Sequence, residues 1–232
     1  MGMNPQPTPD PAQAPPGGVA GDAAHTLNNI TGILYAALDY LEEPVAAKSA
    51  ERARKAIDRA CAQTLALSAA LSLLALGPAD AAAALARGPV PLADTDMERV
   101  VDTLHTVCGV ELPVGTAAAL RVRTPIDRDT LQALLVCGGT LLRRATNAAL
   151  LLRCRTDPVG GSAAPTPRVV FDMVTSGPVG TAPGAAGGGA RPHLCAMALA
   201  HAALALAPLG VTIDLAHLGA GRVVVELGGE AP

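Results

Sequence analysis

The feature that most constrains this chain is a pair of long helical patterns near its beginning. From His25 to Glu43, apolar side chains recur every three or four residues and fall within about 80° on a helical wheel, which predicts an amphipathic helix. Its apolar side consists of Leu27, Ile30, Leu34, Leu38 and Leu41. A second helix is predicted from about Ala50 to Leu76, with a stripe of Ile57, Cys61, Thr64, Leu67, Leu71 and Leu74.

The short break at Pro44 between these helices predicts an antiparallel hairpin. Gly77 and Pro78 end the second helix, because neither residue continues a helical pattern well. A lone hairpin cannot cover both apolar stripes, so we expect two copies to form a four-helix bundle. Residues 22–78 are therefore predicted to be the dimerisation domain of a homodimer.

The pattern of the sequence changes after residue 91, from long helices to shorter helices and strands. Thr95 and Glu98 have the spacing of a capping box, which opens a third amphipathic helix. Short strands are predicted at Val110–Val114 and Leu120–Arg123, followed by a helix at Asp127–Arg153 and a strand at Arg168–Val174. A Gly/Pro-rich loop, a helix at His193–Ala207 and a closing hairpin of strands at Val211–Ala216 and Arg222–Leu227 complete the pattern. Residues 92–232 are thus predicted to form a two-layer α/β sandwich, in which helices cover one face of a mixed sheet.

Composition excludes several classes of function. The net charge of −3 and the near absence of aromatic side chains argue against a nucleic-acid partner. The five cysteines are widely spaced and form no CxxC pair, which predicts buried thiols in a reducing compartment. Residues 1–21 are rich in Pro and Gly and are predicted to be a disordered arm without the features of a signal peptide. No apolar run is long enough for a membrane span, so we expect a cytoplasmic protein with no membrane partner.

One polar cluster interrupts this Ala- and Leu-rich chain, at the start of the first helix. Asn28, Asn29 and Gly32 follow His25 by three, four and seven residues, so they share one side of the helix with its imidazole. Neutral imidazole is a good nucleophile near pH 7. The small Gly32 leaves room for another protein to approach it. The other histidines, His105, His193, His201 and His217, lack metal-ligand spacing and are predicted to be structural, with no metal site.

The segment HTLNNITGILYAALDYL resembles the phospho-acceptor box of two-component histidine kinases, in its HxLNN form. The predicted hairpin followed by an α/β domain is similar to the order of elements in that family, over roughly residues 22 to 228. The resemblance implies that His25 is the phospho-acceptor. It also implies that Asn29, Asn28 and Thr26 orient the imidazole or the phosphoryl oxygens.

The sequence departs from the kinase pattern where ATP would bind. Thr26 replaces the acidic residue that usually follows the phospho-acceptor histidine. Asn147 stands in the magnesium-binding N box, but the further asparagine expected one turn earlier is Arg143, and Thr175 replaces the adenine-reading aspartate. The last long helix, HLCAMALAHAAL, lacks phosphate-binding glycines, and the loop Pro183–Arg191 has no lysine, serine or threonine to hold phosphate. We therefore expect a degenerate ATPase domain that binds no nucleotide and holds no cofactor tightly.

A kinase-shaped dimer without a nucleotide pocket resembles the dimeric histidine phosphotransferases of the ChpT type. The resemblance implies that His25 relays a phosphoryl group between receiver domains of response regulators. The receiver would supply Mg²⁺ and a lysine for the transfer. Gly32, Ala36, Asp39 and Glu43, on the same side of the helix as His25, are predicted to contact the docked partner.

Two other functions fit the same sequence. A response-regulator phosphatase would use the amide of Asn29 to align a water molecule. A non-catalytic dimeric adaptor would keep only the shape of a kinase. A self-phosphorylating kinase is the least favoured hypothesis, because the nucleotide motifs are incomplete.

Overall fold

A computed structural model gives the fold of the chain. It describes residues 16–42, 47–91, 94–111, 123–146, 149–158, 167–175 and 193–228. Two long helices come first, α1 at Pro16–Glu42 and α2 at Ala47–Leu74, and they pack against each other as a hairpin. The predicted helical hairpin is confirmed.

Helix α1 begins nine residues earlier than its apolar pattern predicts. The sequence predicts that residues 16–21 belong to the disordered arm, but they form the first turns of α1. The prediction was wrong there because Gly17, Gly18 and Gly21 lower the intrinsic helix propensity, which is a weak guide once a helix is extended from a stable neighbouring segment. The remainder of the predicted arm, residues 1–15, lies outside the described residues.

The hairpin joins the rest of the protein through α2. The side chains of Ala60, Ala66, Ala69 and Ala70 are almost fully buried, and they belong to the same core cluster as the interior of the α/β domain. Helix α2 packs against α1 and also against three helices of the second domain. Because alanine is small, α2 can approach neighbouring helices closely on two sides at once.

A third helix, α3 at Pro78–Arg87, follows a sharp turn at Gly77. The carboxylate of Asp80 accepts a hydrogen bond from the Gly77 backbone N–H at 2.8 Å, which stabilises the start of α3. From the second domain, the Nε2–H of His201 donates to the Leu76 carbonyl oxygen at 2.7 Å. This bond fixes the connection between α2 and α3 to the sandwich.

The second domain contains a five-stranded mixed sheet with the order β2-β4-β5-β7-β6. Its strands are β2 at Val110–Glu111, β4 at Leu150–Pro158, β5 at Pro167–Thr175, β6 at Val211–Asp214 and β7 at Arg222–Gly228. The β2–β4 pair is parallel and the other pairs are antiparallel. A separate two-stranded ribbon joins β1 at Val90–Pro91 to β3 at Arg123–Thr124.

Three helices cover one face of this sheet: α4 at Asp94–Cys108, α5 at Arg128–Thr146 and α6 at Leu194–Leu206. Two 3-10 turns, at Ala207–Leu209 and Leu218–Ala220, flank β6. The face of the sheet toward the helices carries Phe171 and Met173, both fully buried. The predicted two-layer sandwich with a mixed sheet is confirmed.

The predicted helix at Asp127–Arg153 was wrong at its C-terminal end. Helix α5 ends at Thr146, and Leu150–Arg153 are the first residues of β4. A run of three leucines fits a buried strand as well as a helix, so periodicity alone did not separate the two. The predicted strands after α4 are described only in part, since residues 112–122 lie outside the described residues.

No single helix among the described residues is both long and apolar enough to span a bilayer. The segments Ser49–Leu74 and Pro78–Arg87 meet the length and hydropathy requirement together, but they are bent by 86°.

Two adjacent glycines allow α5 to lie very close to its neighbours. A Cβ atom at Gly138 would stand 2.5 Å from the Met173 Cε and 3.1 Å from a Val223 methyl carbon. A Cβ atom at Gly139 would stand 2.8 Å from the Cys108 Sγ and 3.2 Å from its Cβ. These distances are shorter than normal van der Waals contact, so glycine at both positions sets the spacing between α5, α4 and the sheet.

We expect Gly139→Val to lower the free energy of unfolding by about 2 kcal/mol, because the added methyl groups force α5 and Cys108 apart. Urea unfolding followed by circular dichroism measures the change. Gly219→Ala is the matched control, because nothing lies within 4 Å of its added Cβ. Equal stability of the two variants would contradict the close-packing argument.

Candidate functional site

His25 lies in the third turn of α1, and its side chain is exposed to solvent. No hydrogen bond or ion pair holds the imidazole within the described part of the chain. An exposed, unengaged ring nitrogen is accessible to a reacting group on another protein. The position of His25 therefore allows the chemistry that the sequence assigns to it.

The two asparagines lie with His25 on one side of α1. Asn28 and Asn29 are both exposed, one helical turn beyond the imidazole. Thr26 is half-buried and points to the other side of the helix, toward the core. The structure thus places both amides near His25 on the open surface, while Thr26 is less accessible.

The predicted docking residues continue this surface along α1. Gly32 is exposed, and a Cβ atom added there would meet nothing within 4 Å. Ala36 is half-buried and Asp39 is exposed. The fourth residue, Glu43, lies outside the described residues.

The same surface contains one exposed aromatic residue that the sequence pattern does not identify as part of the site. Tyr35 is 66% exposed and follows Asn28 by seven residues, so it lies two turns further along the same side. An exposed tyrosine combines a large apolar ring with a polar hydroxyl, a combination that is enriched at protein interfaces. The sequence alone does not show that Tyr35 is exposed, because a lone tyrosine in an apolar pattern is equally compatible with a core position.

Two residues at positions that the kinase resemblance assigns to nucleotide contacts, Arg143 and Thr175, make hydrogen bonds within the protein. Arg143 donates from its Nη1 to the Val107 carbonyl oxygen at 3.4 Å. The backbone N–H of Thr175 donates to the Gly221 carbonyl oxygen at 3.0 Å. Asn147, Ala148 and the loop Pro183–Arg191 lie outside the described residues.

The N-terminus of α6 is capped by its own chain. The Nδ1 of His193 accepts a hydrogen bond from the Cys195 backbone N–H at 3.2 Å. Free N–H groups at a helix N-terminus are what bind phosphate in nucleotide sites. Here one of these groups is already satisfied by the imidazole.

Two of the other histidines contact backbone carbonyl oxygens. His201 bonds to the Leu76 carbonyl oxygen, as described above, and the Nδ1 of His105 lies 3.3 Å from the Val110 carbonyl oxygen. No group of three or more His, Cys, Asp or Glu side chains in the described ranges is arranged to hold a metal ion.

Three of the five cysteines are buried, Cys154 is half-buried and Cys61 is exposed. The prediction that all are buried was wrong for Cys61, which is exposed on α2. Cys108, Cys137 and Cys195 lie in the core, and burial raises the pKa of the Cys108 thiol to about 11. A hydrogen bond with Cys137 lowers the pKa of Cys195. A raised pKa makes the Cys108 thiol a poor nucleophile at neutral pH.

A bidentate ion pair crosses the face of the sheet that points away from the helices. The Nε and Nη2 atoms of Arg222 donate to the two carboxylate oxygens of Asp172 at 2.8 and 2.9 Å. The Asp172 side chain is buried, and Asp172 raises the pKa of Arg222 through this hydrogen bond and its charge. The pair joins β5 to β7 and has no contact with the surface of His25.

The fold is similar to several solved structures. A bacterial phosphotransferase aligns with 91% of this chain and 94% of its own, at 16% identity and a TM-score of 0.49. The histidine kinase AdeS of Acinetobacter baumannii aligns with 88% of this chain and 94% of its own, at 12% identity and a TM-score of 0.40. A histidine kinase from Burkholderia phymatum STM815 covers 92% of this chain at 16% identity and a TM-score of 0.30, with 98% of its own length aligned.

No protein-family model matches the sequence, and no curated protein matches it either.

We expect His193→Ala to destabilise the protein by about 1 kcal/mol, because the variant loses the acceptor at the start of α6. Urea unfolding measures the loss. His217→Ala is the matched control, since His217 precedes a 3-10 turn without a capping bond from its side chain. A loss of the same size in both variants would show that the imidazole of His193 does not act as a cap.

Proposed function

We propose that this protein is a histidine phosphotransferase that relays phosphoryl groups between receiver domains of response regulators through His25, without using ATP. The observation that carries the proposal is the exposed His25 imidazole on the open side of α1, with Asn29 one turn beyond it. The resemblance of the HTLNN segment to the phospho-acceptor box supports the same role.

The transfer is an in-line displacement at phosphorus. A ring nitrogen of His25 attacks the phosphorus atom of an aspartyl phosphate, and a P–N bond forms as the P–O bond to the carboxylate breaks. The aspartate leaves as a carboxylate, and the imidazole proton passes to solvent. The next receiver reverses these steps with its own aspartate.

In this reaction the chain places amide groups near the imidazole and leaves the helix surface accessible to a partner. The exposed amides of Asn28 and Asn29 are within one turn of the imidazole and can donate to phosphoryl oxygens. The open space at Gly32 lets a partner come close to the helix. Mg²⁺ belongs to the receiver in this proposal, where it balances the charge of the transferring group.

The second domain serves as a fixed support in this proposal. The capped N-terminus of α6 and the internal partner of Arg143 support a degenerate ATPase-like domain that does not use nucleotide. The prediction is that ATP is not a phosphoryl donor to His25.

A homodimer is part of the proposal, because the hairpin leaves an apolar face uncovered. On α1, Leu27, Leu34 and Leu38 are between 42 and 54% exposed. On α2, the exposed residues Ile57, Cys61, Thr64, Ser68 and Leu71 follow the three- and four-residue spacing of a helix seam. A second copy of the hairpin would cover both stripes and form a four-helix bundle.

A second candidate is a response-regulator phosphatase, and the exposure of Asn29 favours it. An amide beside the docked aspartyl phosphate could align a water molecule for hydrolysis. In that case the receiver loses phosphate without any label on His25, and Asn29→Ala slows the loss.

For the relay, we expect a receiver domain carrying ³²P on its aspartate to label the wild-type protein and then lose the label to a second receiver. His25→Ala abolishes labelling, because no other group on that surface forms the P–N bond. Gel autoradiography with acid- and alkali-stability tests identifies a phosphohistidine. Labelling of the His25→Ala variant, or incorporation from γ-labelled ATP and Mg²⁺, would contradict the proposal.

For the dimer, we expect Leu34→Glu combined with Leu38→Glu to reduce the solution mass to that of one 23.2 kDa chain, because two charges enter the apolar face. Light scattering coupled to gel filtration measures the mass. Leu85→Glu is the control, because Leu85 is 57% exposed on α3 and lies off the hairpin. A wild-type protein that stays monomeric at high concentration would refute the bundle.

A further inference from the structure

The strongest charge asymmetry in the protein lies in the first half of α2. Residues 48–59 contain five Lys or Arg and two Asp or Glu, in a chain with a net charge of −3. Arg52, Lys55 and Arg59 are exposed, and their spacing of three and four residues puts them on one side of α2. We call these three residues the basic ridge.

Little within the protein neutralises the basic ridge. Lys55 makes an ion pair with Glu51 at 2.6 Å, but both side chains are largely exposed, so the pair is weak. Arg52 and Arg59 have no acidic partner among the described residues. The positive charge is therefore available to another molecule.

The basic ridge continues a line of residues that is buried further along α2. The same helical side contains Ala66, Ala69 and Leu73 in the second half of the helix, and all three are buried in the core. That half packs against the sandwich, whereas Arg52, Lys55 and Arg59 in the first half are exposed. One side of α2 thus changes from apolar to basic where the sandwich no longer covers it.

The basic ridge and His25 lie on the same side of the hairpin. At 100° per residue, His25 is about 160° around α1 from Leu27, and the basic ridge is about 180° around α2 from the line of Ile57 and Cys61. Both therefore lie opposite the exposed apolar face. A second copy bound to that face would leave them open.

His25 and the basic ridge are close enough for one protein partner to contact both. In an antiparallel hairpin with a rise of 1.5 Å per residue, Arg59 lies about 8 Å from the level of His25 and Arg52 about 18 Å. A compact domain of about 100 residues has a radius of gyration near 13 Å. A domain of that size bound at His25 would therefore also cover the basic ridge.

We propose that the basic ridge is the electrostatic docking surface for an acidic face of the receiver domain that exchanges phosphate with His25. The inference rests on the proposed phosphotransfer function. The ridge steers the receiver to the hairpin and holds it while the reacting groups align. Asp39 on α1 supplies one exposed negative charge nearby. Positive and negative charges at different places on this surface favour one orientation of the bound partner.

The test compares two double variants of the full-length protein with the same change in charge. Arg52→Glu with Arg59→Glu reverses the ridge, and Arg87→Glu with Arg99→Glu reverses two exposed arginines on α3 and α4. The donors are purified receiver domains of the source organism, phosphorylated with acetyl phosphate. Phosphoramidate, a small donor that needs no docking, measures the intrinsic reactivity of His25 in each protein.

We expect the ridge variant to raise the KM for the receiver at least tenfold, with kcat and phosphoramidate labelling within twofold of wild type. Added NaCl should raise the KM of the wild-type protein more than that of the ridge variant, because salt screens exposed charges. The control variant should behave as wild type. A KM that stays within twofold in the ridge variant, or that rises equally in the control, would overturn the docking proposal.

Failure of the relay itself is distinguishable from failure of the ridge. If no receiver labels the wild-type protein, the phosphotransferase function fails, and the ridge is judged by calorimetric binding of the unphosphorylated receivers. Binding that the ridge variant loses supports the docking surface, and absence of binding overturns it. Binding of RNA or of phosphatidylglycerol vesicles that depends on the ridge, with receiver transfer unchanged, also overturns it.

Discussion

The structure depends on helix α2, which belongs both to the hairpin and to the core of the second domain. Helix α2 buries one side against α1 and another against the helices of the sandwich, and the side chains that make both contacts are mostly alanine. Larger side chains would separate the helices and break the continuous core. Since α1 is held mainly by α2, with a smaller contact to α6, the position of His25 relative to the second domain depends largely on the small residues of α2.

Much of the architecture could be predicted from the sequence because periodicity is strong in its helices. The three- and four-residue spacing of Leu27 to Leu38 identified α1, and the Gly77–Pro78 pair marked the end of α2. The start of α1 was missed because glycine has low intrinsic propensity, and the start of β4 was missed because three successive leucines carry no period. Both errors fall where local preference and tertiary packing disagree.

The sequence was enough to choose the central residues of the candidate site, but not to find the full extent of the surface around them. A histidine followed by two asparagines stands out in an Ala-rich chain, and the structure leaves all three exposed. The basic ridge and Tyr35 could not be recognised in the same way. Whether such a side chain is covered depends on how the hairpin and the sandwich pack against each other, and that packing is a property of the folded chain.

The bond between His201 and the Leu76 carbonyl oxygen has a consequence for motion. The imidazole ties the segment between α2 and α3 to α6, and the core cluster includes buried residues of both α2 and the sandwich. Movement of the hairpin against the sandwich would have to break this hydrogen bond and separate the buried alanines of α2 from the sandwich helices, so both features oppose such movement.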